Sequence, residues 1–217
     1  MRPALLFDMD GTLIDSAAGM RLSLNYALTS AGLPTIAEEE AGKYLGPPLE
    51  YSLTTFLNLH GEKYQKVWDE YARHYRTQGY LLAVPVTGMP ELCGRLNSAG
   101  FRLAIATCKP WAYCQPTLKL CRFPDCFEVV SGSFHNGVPE EKSAVIREAL
   151  RLMGLSPAEA VMIGDRASDV TGARECGLPC IGVDFCGYAE PHELENAGAE
   201  AILHTVGELE DYLLGRR

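Results

Sequence analysis

No stretch of this sequence is apolar for long enough to span a bilayer, so no membrane helix is expected. Met1 to Phe7 is too short for a signal peptide and runs directly into acid, and the chain reads as cytoplasmic. Basic residues are in deficit, 19 Lys and Arg against 28 Asp and Glu, for a formal net charge of -9. Nucleic acid and anionic membranes need a basic face, so neither is expected as the main partner. The five histidines, His60, His74, His135, His192 and His204, lie scattered and form no cluster. The eight cysteines lack knuckle spacing for zinc, since Cys121 and Cys126 have no second pair. With nothing pointing to secretion, they are expected as reduced thiols packed like small hydrophobes. Internal repeats, low-complexity tracts and charged tails are missing as well. What is left is a globular composition, 47% hydrophobic and 22% charged over 217 residues, enough for one medium domain or a domain with an insertion.

Four short apolar runs are present, each ending at a polar or glycine break: ALLF (4–7), RLAIAT (102–107), AVMIGD (160–165) and PCIGV (179–183). Runs apolar on both faces are the signature of strands buried in a parallel sheet. Helical patterns lie between them. In KSAVIREALRLMG, Val145, Ile146, Ala149, Leu150 and Met153 share one face and Gly154 ends it; SDVTGARECG stops at Gly177. Strand alternating with helix predicts an α/β fold with a doubly wound parallel sheet. Residues 17–82 break the rhythm. They hold GMRLSLNYALTSAG, PLEYSLTTFLNLHG and EKYQKVWDEYARHYRTQG, each helix-spaced with a terminal glycine and none strand-like. An all-helical domain over 15–82, inserted into a core of 1–14 and 83–217, is therefore expected.

Ligands of a doubly wound sheet sit at the carboxyl ends of its strands, where strand order reverses. Three of the breaks put polar residues there: Asp8 and Asp10, then Thr107, then Asp165 with Asp169. Lys142 opens the helix before the last strand of this set. Four gathered carboxylates need a counter-charge, and a hard divalent cation such as Mg²⁺ supplies one, together with the lysine. A core does not collect such a set without a use, because each unpaired buried charge costs several kcal/mol.

DMDGTLIDS, Thr107, Lys142 and GDRASD (164–169), in that order, resemble the four motifs of the haloacid dehalogenase superfamily over nearly the whole chain. The helical insertion resembles the cap of the phosphoglycolate-phosphatase-like branch, with YLGPPL (44–49), TCKP (107–110) and GYAEPHELENAGAEAIL (187–203) as further likenesses. The resemblance implies a Rossmann-like core with a helical cap. It makes Asp8 the nucleophile that forms an aspartyl-phosphate, and Asp10 the group that protonates the leaving oxygen and then activates water. Mg²⁺ would be held by Asp8, the backbone carbonyl of Asp10 and Asp165, while Asp169 orients ligands or Lys142. Thr107 and Lys142 would bind the transferring phosphoryl oxygens. In such relatives Ser is common where Cys108 stands, Pro where Thr87 stands, and the loop GSFHNGVPEEK reads differently.

Other polar residues receive plainer readings. Asp15 is expected to hydrogen-bond backbone, and Lys109 to be a solvated charge near the site. The stripe Tyr64, Val67, Tyr71 and Tyr75 is expected to pack the cap. Lys43, just before the stiff Gly46-Pro47-Pro48 turn, is the cap cation placed to meet an anionic leaving group. A Mg²⁺-dependent phosphatase acting on a small phosphorylated metabolite follows, phosphoglycolate first and nucleoside 5′-monophosphates next; no oligomeric state is implied. A dehalogenase would lack the metal-site pattern completed by Asp10, Asp165 and Asp169. A phosphonate hydrolase would need a Schiff-base lysine, for which Lys43 is the candidate. A phosphomutase would differ in its product, and a phosphometabolite sensor would have no need of an acid/base aspartate.

Overall fold

The computed structural model describes residues 3–45, 49–133 and 141–215. The turn at Gly46-Pro47-Pro48, the loop 134–140 and His135 lie outside the described residues. Six parallel strands form the main sheet: β1 (Ala4–Phe7), β4 (Leu103–Pro110), β5 (Phe127–Ser133), β6 (Ala160–Gly164), β7 (Cys180–Val183) and β8 (Ala201–Leu203). Their spatial order is β5-β4-β1-β6-β7-β8, all neighbours parallel. The chain builds outward from β1 to β5, then returns to lay β6 on the other side of β1. The order therefore reverses at β1, and the crevice at a switch point opens beside its carboxyl end.

Strand alternation sorts the core into two layers. Leu5 and Phe7 of β1, with Leu103, Ile105, Ile163 and Ile181, face one cluster. Three helices cover it, α4 (Met89–Ser98), α5 (Trp111–Leu120) and α9 (Val206–Leu214), through Leu92, Leu96, Cys114, Leu118 and Leu209. Ala4 and Leu6, with Ala104, Ala106 and Met162, face the other. There α6 (Lys142–Met153) and α7 (Ala167–Cys176) pack through Val145, Ile146, Ala149, Val170 and Ala173, and a short α8 (Glu193–Ala197) adds Leu194. Gly154 and Gly177 cap α6 and α7 in the left-handed conformation, as the sequence predicts.

The remaining segment is helical. It comprises α1 (Ala17–Ser30), a 3₁₀ turn at Ala41–Tyr44, the short α2 (Leu49–Tyr51) running into a π turn at Ser52–Phe56, α3 (Gly61–Thr77) and a 3₁₀ turn at Gly79–Leu82. Gly61 opens α3 rather than ending the segment before it, which stops at Phe56. Its apolar residues form a third cluster that includes Met20, Leu24, Leu28, Tyr44, Leu53 and Val67. On that separate cluster we propose the division into a core of 1–14 and 83–217 and a cap of 15–82. The chain crosses between them at a small antiparallel ribbon, β2 (Ile14–Asp15) on β3 (Val84–Pro85).

Two edge strands, β5 and β8, escape the sequence reading. β5 is only partly buried along its first four residues and ends in Ser-Gly-Ser, and β8 is three half-buried residues long. Edge strands lack a second covering neighbour, so the run apolar on both faces never develops.

Candidate active site

Asp8 follows β1 directly, and its backbone N–H is tied to the Ile163 carbonyl of β6 at 2.9 Å. The chain then turns tightly, with the Leu13 and Ile14 N–H groups both donating to the Met9 carbonyl. Gly11 sits in this turn at φ +83°, and a Cβ there would stand 2.0 Å from Asp165 Oδ2. Only glycine lets the turn close over the end of β6. Gly164 serves the same end from the other side, since a Cβ would meet the Asp169 carboxyl group at 2.3 Å. The two glycines thus allow Asp8, Asp165 and Asp169 to crowd together. Each offers a carboxylate oxygen within 4.8 Å of the others, and all three are buried.

Lys142, the first residue of α6, lies between two of them. Its Nζ is 2.7 Å from Asp8 Oδ1 and 2.7 Å from Asp169 Oδ1, and it donates to the Ala106 carbonyl at 3.3 Å. Asp169 Oδ2 accepts the backbone N–H of Arg166 at 3.0 Å, and Thr12 donates to Asp165 Oδ1 at 3.1 Å. The Arg166 guanidinium is engaged elsewhere, on Glu193 at 3.0 Å and on the Gly42 and Leu45 carbonyls of the cap. Thr107, at the end of the β4 core register, is buried, and its Oγ1 accepts the Lys109 N–H at 3.2 Å.

The electrostatics follow from this crowding. Burial pushes the Asp8 carboxyl up to about 6 although Lys142 pulls it down, and Asp169 adds to the push. Burial, then Asp169 and Asp8, drive Asp165 well above the ordinary carboxylate range. Burial alone would lower Lys142, but Asp169 and Asp8 outweigh it and hold the ammonium well above its usual value. Lys142 ion-pairs with Asp8 and Asp169 only, and Asp165 adds a third buried carboxylate, so the set is short of positive charge. Hard oxygen donors with unbalanced negative charge fit a divalent cation of the Mg²⁺ kind.

Asp10 is kept apart from that set. It accepts from Ser16 Oγ at 2.5 Å and from Lys109 Nζ at 2.8 and 3.1 Å. The expectation for Lys109 is thereby corrected. It is buried and ion-paired, and it also contacts Tyr75 Oη at 2.9 Å, not a solvated charge. The missed signal is spacing: two residues past Thr107 on a strand, Lys109 returns to the same face. Asp15 takes the part expected of it. Its Oδ1 accepts the Ala17 N–H at 2.9 Å at the start of α1, and also the Tyr188 hydroxyl at 2.7 Å.

Above these residues lies a cavity of about 380 Å³ between core and cap. Asp8, Asp10, Ser16, Thr107, Cys108 and Lys109 line its floor, and Met20, Tyr44, Leu45, Leu49, Glu50, Trp68, Tyr71 and Tyr75 its cap side. The α3 stripe therefore does more than the packing expected of it, because Tyr71 and Tyr75 face the cavity. Lys43 stands exposed, its Nζ 4.5 Å from the Phe56 ring centre, and is not among the lining residues. His74 stacks on Tyr26, and His60 and His192 stand at helix starts. The eight cysteines are free thiols, and no helix among the described residues is long and apolar enough to cross a membrane.

Comparison with known proteins agrees with this geometry. The model of the haloacid dehalogenase-like hydrolases matches residues 5–183. A 5′-nucleotidase of Pseudomonas aeruginosa is 34% identical, over 88% of this chain and 86% of its own. The tyrosine-protein kinase PtkA of Mycobacterium tuberculosis is 31% identical over 96% and 72%. A phosphoglycolate phosphatase of Mesorhizobium japonicum is 27% identical over 94% and 91%. The crystal structure of a predicted phosphatase from Clostridium acetobutylicum superposes with a TM-score of 0.92 at 33% identity, over 99% of this chain and 100% of that one. With the family matched over most of the length and phosphatases among both relatives and structures, the chain belongs to the haloacid dehalogenase-like hydrolases and is one of their phosphatases.

Proposed function

We propose that the protein is a Mg²⁺-dependent phosphatase that hydrolyses a small phosphomonoester through an aspartyl-phosphate on Asp8. The observation that carries this reading is the buried set Asp8, Asp165 and Asp169 around the single ammonium of Lys142. Asp8 attacks phosphorus as a carboxylate, and the P–O bond to the leaving group breaks as the new one forms. Asp10 delivers a proton to the departing oxygen. It then takes one from the water that attacks the phosphorus of the intermediate, releasing phosphate and regenerating Asp8. Thr107 and Lys142 hold phosphoryl oxygens, where negative charge spreads in the transition state. The metal would be held by Asp8, the Asp10 backbone carbonyl and Asp165, with Asp169 fixing Lys142. When bound it neutralises the crowded carboxylates and polarises the phosphoryl group.

The leaving group is read from the cap side of the cavity. Phosphoglycolate would need a cation there for its carboxylate, yet among the described lining residues of the cap Glu50 is the only charged one. Gly46, Pro47 and Pro48 bring no charge by composition. Tyr44, Trp68, Tyr71 and Tyr75 instead offer aromatic surface, joined by Tyr113 of α5. Flat bases stack on such surfaces in a sequence-tolerant way. This favours a nucleoside 5′-monophosphate over phosphoglycolate, the reverse of the order that resemblance alone suggests. A panel of phosphorylated metabolites with Mg²⁺, read by free phosphate, tests both levels. The expected result is a kcat/KM for nucleoside monophosphates at least about tenfold above that for phosphoglycolate. Preference for phosphoglycolate by that margin would overturn the leaving-group reading alone, and transfer of phosphate between substrates without release would replace hydrolysis by a mutase.

A further inference from the structure

Lys109 is a charge that the chemistry above leaves idle. It is 6% exposed, on the last stretch of β4, and it touches both halves of the molecule. Its Nζ lies 2.8 and 3.1 Å from the two Asp10 oxygens and 2.9 Å from the hydroxyl of Tyr75, a residue of cap helix α3. The backbone beneath it is pinned. The Lys109 N–H donates to Thr107 Oγ1 at 3.2 Å, and a Cβ at Gly132 of β5 would come within 3.0 Å of the Lys109 carbonyl. Tyr75 is pinned too, stacked on Tyr71 at 5.5 Å and edge-on to Tyr113 at 5.3 Å.

We propose that Lys109 is a positioning residue that aims the Asp10 carboxyl group into the cavity, and that Tyr75 holds Lys109 in place, so that the acid/base step depends on a seated cap. An ammonium rotates freely about its stem and has three donors to satisfy, so a buried lysine takes its direction from its acceptors. Here one acceptor is the acid/base group and the other belongs to the cap. Displacing α3 removes the Tyr75 hydroxyl and frees Lys109 to swing, and Asp10 then keeps only Ser16. The cap would thereby control proton transfer as well as substrate binding, which couples chemistry to closure. This inference rests on the reading of Asp10 as the acid/base group.

Single-turnover formation of the phosphoenzyme tests it with two substrates, a nucleoside 5′-monophosphate, whose leaving oxygen needs a proton, and p-nitrophenyl phosphate, whose leaving group does not. Asp10→Asn is the reference arm and should slow the first substrate far more than the second. Lys109→Met should follow the same pattern, losing about a hundredfold on the nucleotide and at least about tenfold less on the aryl ester, within the range of a general acid. Lys109→Arg should recover part of the loss. Tyr75→Phe keeps the ring packing and removes one hydroxyl. It should lower the nucleotide rate about fivefold to tenfold, the scale of one hydrogen bond, with KM within about twofold. Equal losses on both substrates in Lys109→Met, or a change confined to KM, would make Lys109 a phosphate ligand or a structural residue and overturn the proposal. An unchanged nucleotide rate in Tyr75→Phe would remove the cap from it. A non-selective Asp10→Asn would instead show that the acid/base reading itself has failed, a result distinguishable because it appears in the reference arm.

Discussion

The floor of the cavity presents the Asp8 and Asp10 carboxylates, hydroxyl groups and the Lys109 ammonium, whereas the cap above presents mainly aromatic and aliphatic surface with Glu50 at its margin. The floor groups are locked to one another by charge, through Lys142 on Asp8 and Asp169 and Lys109 on Asp10. The cap groups are held chiefly by packing, as in the stack of Tyr64 on Trp68 and of Tyr71 on Tyr75, with the Tyr75 hydroxyl also accepting from Lys109. Charges in a buried network have few tolerated replacements, since losing one partner strands the other. An aromatic wall can be recut one ring at a time. The difference places the common chemistry below and the choice of leaving group above, with Lys109 and Arg166 among the residues that reach across.

The largest effect should come from the floor. Asp8→Asn is expected to lower turnover more than about a thousandfold, because an amide cannot become an aspartyl-phosphate. The circular dichroism spectrum should stay native, and beryllofluoride, which mimics the intermediate, should bind only the unsubstituted protein. Substantial activity in the folded variant would remove the nucleophile from Asp8. Chelation ranks next, with a loss of more than about a hundredfold that Mg²⁺ restores. Ca²⁺ should restore little, because it takes carboxylates bidentately and would occupy the attacking oxygen of Asp8. Full activity in excess chelator would break the link between the buried carboxylates and a metal.

The cap should respond by substrate. Trp68→Ala removes ring surface that faces the cavity, and base stacking is worth roughly 1–3 kcal/mol per aromatic partner. The expected loss in kcat/KM for a nucleoside monophosphate is about tenfold to a hundredfold, with less than about threefold for a phosphate ester lacking a ring. A uniform loss would mean that Trp68 supports the cap rather than reads the leaving group.

How much of this could be read in the sequence depends on burial. β1, β4, β6 and β7 are interior strands covered on both faces, and their apolar runs are continuous; β5 and β8 are edges, and theirs are not. Asp8 and Asp165 were legible because each directly follows an interior strand and breaks its run abruptly. Lys109 was not, because a lysine beside a site is ordinarily solvated, and its burial comes from Tyr75, more than thirty residues away in the cap. The dual face of α3 was hidden for a similar reason. Helical spacing shows that Tyr71 and Tyr75 share a stripe, but whether that stripe meets cap helices or a cavity depends on how the cap sits on the core.

The smallest effect tests the rule at its weakest point. Lys43 is the cap cation that sequence reasoning places against an anionic leaving group, directly before Tyr44, which lines the cavity. Its ammonium instead rests over the Phe56 ring, exposed to water, in a cation–π contact worth about 0.5–1 kcal/mol at such a site. A charge in water is screened from the cavity by solvent and salt, so it contributes little to a bound anion. Lys43→Ala should therefore change kcat/KM by less than about threefold for phosphoglycolate and nucleoside monophosphates alike, the scale of an exposed pair. A selective tenfold loss on phosphoglycolate would require the side chain to swing inward when substrate binds. The cap would then hold a charge of its own after all, and the division between a charged floor and an aromatic roof would give way at that residue.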